Sequence, residues 1–134
     1  MSTKTAITGG CNCGGVTYTV VGPMREVVAC HCSQCRKQTG HFYAATNAAD
    51  ADLTVKDSGT LKWYAASDIA KRGFCGECGS ALFWKPNGGD YTSILAGTLD
   101  GDAGGLKLDR HIFVADKGAY YELNDGLPAF EQGD

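Results

Sequence analysis

A small, mainly β domain with little helix is the fold class this sequence predicts, and three observations predict it. Short runs of β-branched and aromatic residues recur, each stopped by a turn signal. No long window sustains the 3.6-residue periodicity of an amphipathic helix. Gly makes up 19 of 134 residues, against an average usage of roughly 7%, which suits a chain that turns often and needs positive φ where it does.

The elements follow in order. Val16–Val21 is a strand stopped by Gly22-Pro23, and Glu26–Ala29 is a second leading into Cys30. Ser33–Thr39 can make a helical turn or two, with Ser33 as its cap. Phe42–Asn47 is a third strand. Leu53–Val55 and Leu61–Tyr64 flank Asp57-Ser58-Gly59 and read as a hairpin. Residues 66–71 can form another short helical turn. Arg72–Phe74, Ala81–Trp84, Tyr91–Leu95 and His111–Val114 complete the strands, with a turn at Pro86–Asp90 and a surface loop at Asp100–Gly105. Trp63, Tyr64, Phe83 and Trp84 are the expected core aromatics. Phe42 and Tyr43, also core candidates, are the aromatics best placed to wall a pocket beside the preceding cysteines.

Length suits one domain over 1–134, large enough to bury a core. Lys plus Arg is 12 and Asp plus Glu is 15, a formal net charge of −3; this argues against a nucleic-acid binder, which needs a basic face. The first ten residues lack the apolar run of a signal peptide, and no stretch approaches the roughly 20 apolar residues that span a bilayer. No membrane partner is expected, and a cytoplasmic location is.

The seven cysteines are an odd number, so intrachain disulfides would leave a thiol over. In a reducing compartment clustered cysteines point to metal or redox chemistry. They fall into Cys11-x-Cys13, Cys30-x-Cys32-x-x-Cys35 and Cys75-x-x-Cys78. The economical partition is four plus three. Cys11, Cys13, Cys75 and Cys78 would close a tetrahedral zinc site, and Cys30, Cys32 and Cys35 would hold a second zinc with one position open, as catalytic zinc has. Two other readings remain open: a thioredoxin-type dithiol at Cys32/Cys35, and one four-cysteine zinc with three unrelated thiols.

The same motifs carry a resemblance. Gly10-Cys-Asn-Cys-Gly14, Cys30-His-Cys-Ser-Gln-Cys-Arg36 and Phe74-Cys-Gly-Glu-Cys-Gly79, followed by Gly97-Thr-Leu-Asp100 and His111-Ile-Phe-Val114 through Glu122 and Leu127-Pro-Ala-Phe130, resemble the glutathione-dependent formaldehyde-activating enzyme family, which includes centromere-protein-V-like members. The match spans roughly residues 9–131. It implies an Mss4-like fold of several small coiled antiparallel sheets with a zinc-ribbon element. It implies a structural zinc on Cys11, Cys13, Cys75 and Cys78 and a second, labile zinc on Cys30, Cys32 and Cys35. It also implies carbon–sulfur lyase-type chemistry on a glutathione or other small-thiol adduct of an aldehyde. The chain departs from the pattern at Lys117-Gly-Ala-Tyr120, where many members have a Pro-Trp pair, and it lacks the N-terminal extension of the formaldehyde-activating enzymes proper.

Other residues have plainer readings. His31 is expected to turn away from its flanking ligands and brace the loop, the functional alternative being an acid–base group or fourth ligand. His41 and His111 are expected to be structural. Arg36 and Lys37 are candidates for a substrate carboxylate or for charge compensation, and Lys71 and Arg72 for compensation at the four-cysteine site. Two functions compete with the enzyme reading: a non-catalytic, zinc-stabilised interaction module, and a redox switch on Cys32/Cys35.

Overall fold

The computed structural model describes residues 6–133. Its elements are β1 (Ile7–Gly10), β2 (Val16–Val20), β3 (Val27–Cys30), α1 (Ser33–Thr39), β4 (Tyr43–Ala49), β5 (Leu53–Asp57), β6 (Leu61–Tyr64), β7 (Ala70–Cys75), β8 (Ala81–Pro86), β9 (Tyr91–Leu95) and β10 (Leu108–Ile112). A small sheet has the order β1-β2-β5, and a larger one the order β10-β3-β4-β9-β8-β7-β6. Neighbours run antiparallel except β10, which lies parallel to β3. The mainly β, Mss4-like expectation with one short helix holds.

The main core lies where the small sheet meets the large one. Val16, Tyr18 and Val20, every second residue of β2, are buried with Leu82, Phe83, Ile94 and Leu99. Each such side chain contributes about 2 kcal/mol by leaving water. Tyr18 meets Phe83 edge-on at 5.6 Å, and its hydroxyl pairs with Thr98 Oγ1 at 2.7 Å. That hydroxyl passes directly over Gly9: a Cβ there would lie 2.2 Å from it and 2.4 Å from the Thr98 carbonyl oxygen.

Several local expectations are corrected. Leu53–Val55 and Leu61–Tyr64 are not hairpin partners. β5 pairs with β2 and β6 with β7, so the chain changes sheets at Asp57-Ser58-Gly59. Asp57 Oδ1 accepts the amides of Gly59, Thr60 and Leu61, an Asx-type corner rather than a hairpin turn. Residues 66–71 are not helical; a bend at 67–69 feeds β7. Trp63 and Tyr64 are 40% and 52% exposed, because β6 is the sheet's edge. Trp63 stacks on Phe83 at 6.0 Å and is covered outside by the Lys71 ammonium at 4.6 Å. Phe83 is buried as expected. β1 carries no apolar alternation and has no counterpart among the expected strands, and β10 begins three residues before the expected start at His111.

One face of the large sheet carries a row of directly opposed residues. Arg72 faces Trp84, Trp84 faces Ser93, and Ser93 faces Asn47. On the next strand pair Ala45 faces Val28 and Tyr43 faces Cys30. Opposed residues share a face, so these side chains form one floor, and α1 begins at its Cys30 end.

Candidate metal centres

The seven cysteines are all free thiols and gather into two groups, Cys11/Cys13/Cys75/Cys78 and Cys30/Cys32/Cys35, with the sulfurs of each group within 4.8 Å of one another. Among the described residues these are the groups of three or more His, Cys, Asp or Glu side chains that could hold a metal ion. The four-plus-three grouping read from spacing is the grouping in space.

The four-cysteine group joins two loops. Cys11 and Cys13 sit between β1 and β2, where the Cys11 amide donates to the Val16 carbonyl at 2.9 Å. Cys75 ends β7 and Cys78 follows in the turn to β8, closed by the Gly79 amide on the Cys75 carbonyl at 2.8 Å, with Gly79 at φ 82°. Cys13 Sγ lies 3.6 Å from Cys11 Sγ and 3.7 Å from Cys75 Sγ. A tetrahedral ion with metal–sulfur bonds of about 2.3 Å spaces its ligands about 3.8 Å apart, so the sulfurs fit one. Their other partners are neutral: the Val16 amide on Cys11 at 3.3 Å, the Cys78 amide on Cys75 at 3.5 Å, and the Thr60 and Ser80 hydroxyls beside Cys75 and Cys78 at 3.4 and 3.3 Å. The Ser80 hydroxyl and amide pull the Cys78 thiol down to about 5. The Gly15 amide also pulls Cys13 down, but the thiols of Cys11, Cys75 and Cys78 together push it up to about 12. Four crowded thiols thus resist full ionisation unless a cation joins them.

The three-cysteine group is built on the β3–α1 junction. Cys30 ends β3. The helix cap is Cys32 rather than the expected Ser33: Cys32 is extended at φ −64° and ψ 156°, and its sulfur accepts the Cys35 amide at 3.3 Å. Cys35, one turn in, is 5% exposed, and its sulfur lies 3.4 Å from Cys30 Sγ. The thiols of Cys32 and Cys35, with burial, push Cys30 strongly up, while those of Cys30 and Cys35 draw Cys32 down. Without a cation the group favours one concentrated negative charge over three.

The open side of this group faces a cleft of about 450 Å³ along the sheet floor. Cys30, Cys32 and Cys35 line one part of it, with Tyr43, Trp84, Ser93, Arg25 and Arg72 among its other walls. Arg25 is anchored to the Ala45 carbonyl at 2.9 Å. Arg36 and Lys37 are not among the lining residues; Arg36 Nε donates to the Asp116 carbonyl at 3.2 Å and Lys37 is exposed. Arg72 contacts the three-cysteine group rather than the expected four-cysteine one: it stands three residues before Cys75, an odd step along an alternating strand, so its side chain lies on the cleft floor. Its Nη2 donates to Cys35 Sγ at 3.4 Å. Tyr43 walls the cleft as expected, whereas Phe42 packs on the ring of His31 at 4.9 Å.

His31 is wholly buried, and both its ring nitrogens are engaged. Nδ1 lies 2.5 Å from the Tyr121 hydroxyl and Nε2 lies 2.8 Å from His111 Nδ1, while His111 Nε2 lies 2.8 Å from Asp125 Oδ2. The fourth-ligand role for His31 therefore has no nitrogen to use. This chain of partners was missed in the sequence, since His31 lies 90 residues from Tyr121 and 80 from His111. No helix among the described residues is long and apolar enough to cross a membrane.

Residues 6–116 match the family described as glutathione-dependent formaldehyde-activating enzyme. A Halomonas elongata protein, provisionally named a glutathione-dependent formaldehyde-activating enzyme, is 31% identical over 124 residues, covering 86% of this chain and 79% of its own. A Schizosaccharomyces pombe protein described as an uncharacterized lyase is 23% identical over 122 residues, covering 91% of this chain and 88% of its own. A Rhodobacter sphaeroides protein of known crystal structure shares the fold at a TM-score of 0.58 with 21% identity, over 92% of this chain and 98% of that one.

Proposed function

The chain belongs to the glutathione-dependent formaldehyde-activating enzyme family, and from that premise we propose that residues 1–134 act as one zinc-binding unit with carbon–sulfur lyase-type activity on a small-thiol adduct of an aldehyde. The observation that carries this reading is the contrast between the two cysteine groups. One has four sulfurs, a complete tetrahedron, and joins two loops. The other has three and opens on a cleft of about 450 Å³. In this reading Cys11, Cys13, Cys75 and Cys78 hold a structural zinc, and Cys30, Cys32 and Cys35 hold a second one that remains exchangeable.

A zinc ion on the three-cysteine group would supply a cationic position at which a thiol sulfur is held as thiolate. The remaining work falls to the chain. The cleft floor orients the thiol's backbone, and Trp84 and Tyr43 exclude water from one side. Arg25 is the guanidinium placed for a carboxylate of the thiol, the role expected of Arg36 and Lys37 from the sequence. In the forward direction a carbon–sulfur bond forms, the carbonyl becomes a hydroxyl, and the thiol proton ends on oxygen. The reverse breaks the same bond and returns the aldehyde. Glutathione, an anionic thiol, is the substrate the family name supports.

The test is a zinc-loaded preparation titrated with glutathione, following zinc content by native mass spectrometry and S-hydroxymethylglutathione formation by NMR. Two zinc ions per chain, one of them released or altered by thiol, are expected. A preparation that binds two ions and responds to no thiol would return the protein to the interaction-module reading.

A further inference from the structure

We infer that Arg72 is a positioning residue for the three-cysteine centre: through Cys35 it offsets sulfur charge so that the centre can take a further thiolate. The inference rests on the reading of Cys30, Cys32 and Cys35 as a second metal site.

Arg72 is 4% exposed, yet among the described residues no carboxylate pairs with it. Its Nε and Nη2 are held by Gln34 Oε1 at 3.2 and 2.8 Å, its plane lies over the Tyr43 ring at 5.3 Å, and Nη1 has no partner. A buried guanidinium without a counter-charge is costly. The candidate counter-charge in contact is Cys35 Sγ, 3.4 Å from Nη2. Gln34 sits on α1 one residue before Cys35, so the helix start that presents the sulfur also fixes the guanidinium against it.

The two centres differ on this point. At the four-cysteine group, among the described residues, the partners of the sulfurs are backbone amides, the Thr60 and Ser80 hydroxyls and one another, with no cationic side chain in contact. Four thiolates around a divalent ion leave two negative charges. Three thiolates around the same ion leave one, which Arg72 cancels. A substrate thiolate entering the second centre then leaves one negative charge in total rather than two. A charge-assisted hydrogen bond donated to Cys35 also withdraws density from that sulfur and so weakens its donation to a metal. Arg72 thus favours both the entry of a fourth sulfur and the exchangeability of the ion.

The test uses the full chain loaded with two equivalents of Co(II), whose sulfur-to-metal charge-transfer bands report sulfur basicity. Arg72→Gln is expected to move the band of the second centre to lower energy and to weaken binding of N-acetylcysteine amide, a neutral-bodied thiol, at least tenfold. The first centre's spectrum should not change. Arg72→Lys, which keeps the charge but not the fork, should recover most of the thiol affinity. If Arg72→Gln does not fold, Gln34→Glu decides, because it sets a carboxylate against the same guanidinium and competes for its charge: the band should move to lower energy and the thiol affinity should fall, and an unmoved band with unchanged affinity overturns the inference. Wild-type and Arg72→Gln proteins with the same band and the same thiol affinity also overturn it, leaving the proposed function standing. A wild-type centre that binds Co(II) but no thiol would sink the proposed function, while a band shift in Arg72→Gln would still support the Arg72–Cys35 effect.

Discussion

His31 Nε2 lies 2.8 Å from His111 Nδ1, and this buried contact links the protons of the chain that runs from Tyr121 to Asp125. Asp125, held low by the Leu127 amide and by His111, is a carboxylate that accepts from His111 Nε2–H. His111 Nδ1 is then an acceptor, His31 donates from Nε2, and His31 Nδ1 accepts from Tyr121 O–H. Burial is the first cause that holds His31 down, to about 4, with the Lys117 ammonium adding to it, so it is neutral at pH 7. Nitrogen-15 NMR should find both rings as Nε2–H tautomers. His111→Ala strands the His31 donor and should cost at least about 1–3 kcal/mol in urea unfolding; a doubly protonated His31 at pH 7 would contradict the assignment.

Tyr18 makes stability fall in alkali. Burial, opposed by the Thr98 hydroxyl, pushes its phenol from 10.0 up to about 12. A raised folded pKa adds stability that is complete below the unfolded value and is lost as pH rises through the folded one. The window is therefore pH 10 to 12, and the amount is about 3 kcal/mol for two units. Tyr18→Phe should lack this component. The difference between wild type and variant, followed by circular dichroism against urea from pH 9 to 12, should shift across that window and stay flat below it.

The two cysteine groups should separate on mutation. Cys75→Ser removes a wholly buried sulfur that ties two loops, and should cost one metal ion together with cooperative folding. Cys32→Ser should cost the other ion and the thiol response while keeping the far-ultraviolet spectrum. Native mass spectrometry beside circular dichroism reads both; a folded, two-metal Cys75→Ser protein would overturn the assignment.

Gly9→Ala should destabilise by about 1–3 kcal/mol through overpacking against the Tyr18 hydroxyl. Gly9→Ala combined with Tyr18→Phe should recover part of the loss. Equal stability of Gly9→Ala and wild type in thermal unfolding would mean the strand shifts freely there.

Arg25→Gln should weaken a carboxylate-bearing thiol roughly tenfold or more relative to its amide, whereas Lys37→Gln should leave the ratio unchanged. Calorimetric titration with N-acetylcysteine and its amide separates the two. A ratio that falls in the Lys37 variant instead would move the carboxylate subsite to the outer face of α1.

The two cysteine groups were legible because spacing sorts the seven cysteines as two, three and two, and four is the number that closes a tetrahedron. The strands were legible from β-branched runs, but their partners were not. Leu53–Val55 and Leu61–Tyr64 look like a hairpin locally, while the Asp57 corner that separates them acts through three amides that any sequence would supply. Trp63 and Tyr64 were misplaced because hydrophobicity does not say which strand is the edge. Arg72 was assigned to the wrong centre because nearness along the chain to Cys75 hides the alternation that aims it at Cys35. The His31–His111–Asp125 series leaves no local trace at all.

The separation of ligands along the chain also sets an order of events at synthesis. Cys13 and Cys75 are 62 residues apart, so their centre needs both sheets in place before its sulfurs meet. Cys30 and Cys35 are five apart and can be gathered by one short loop closure, an event of about 10–100 ns. A nascent chain therefore carries a complete three-sulfur trap before Cys75 has been made. The three-cysteine group, proposed above to hold an exchangeable ion, is the first able to capture metal, and the four-cysteine group is the last to be assembled.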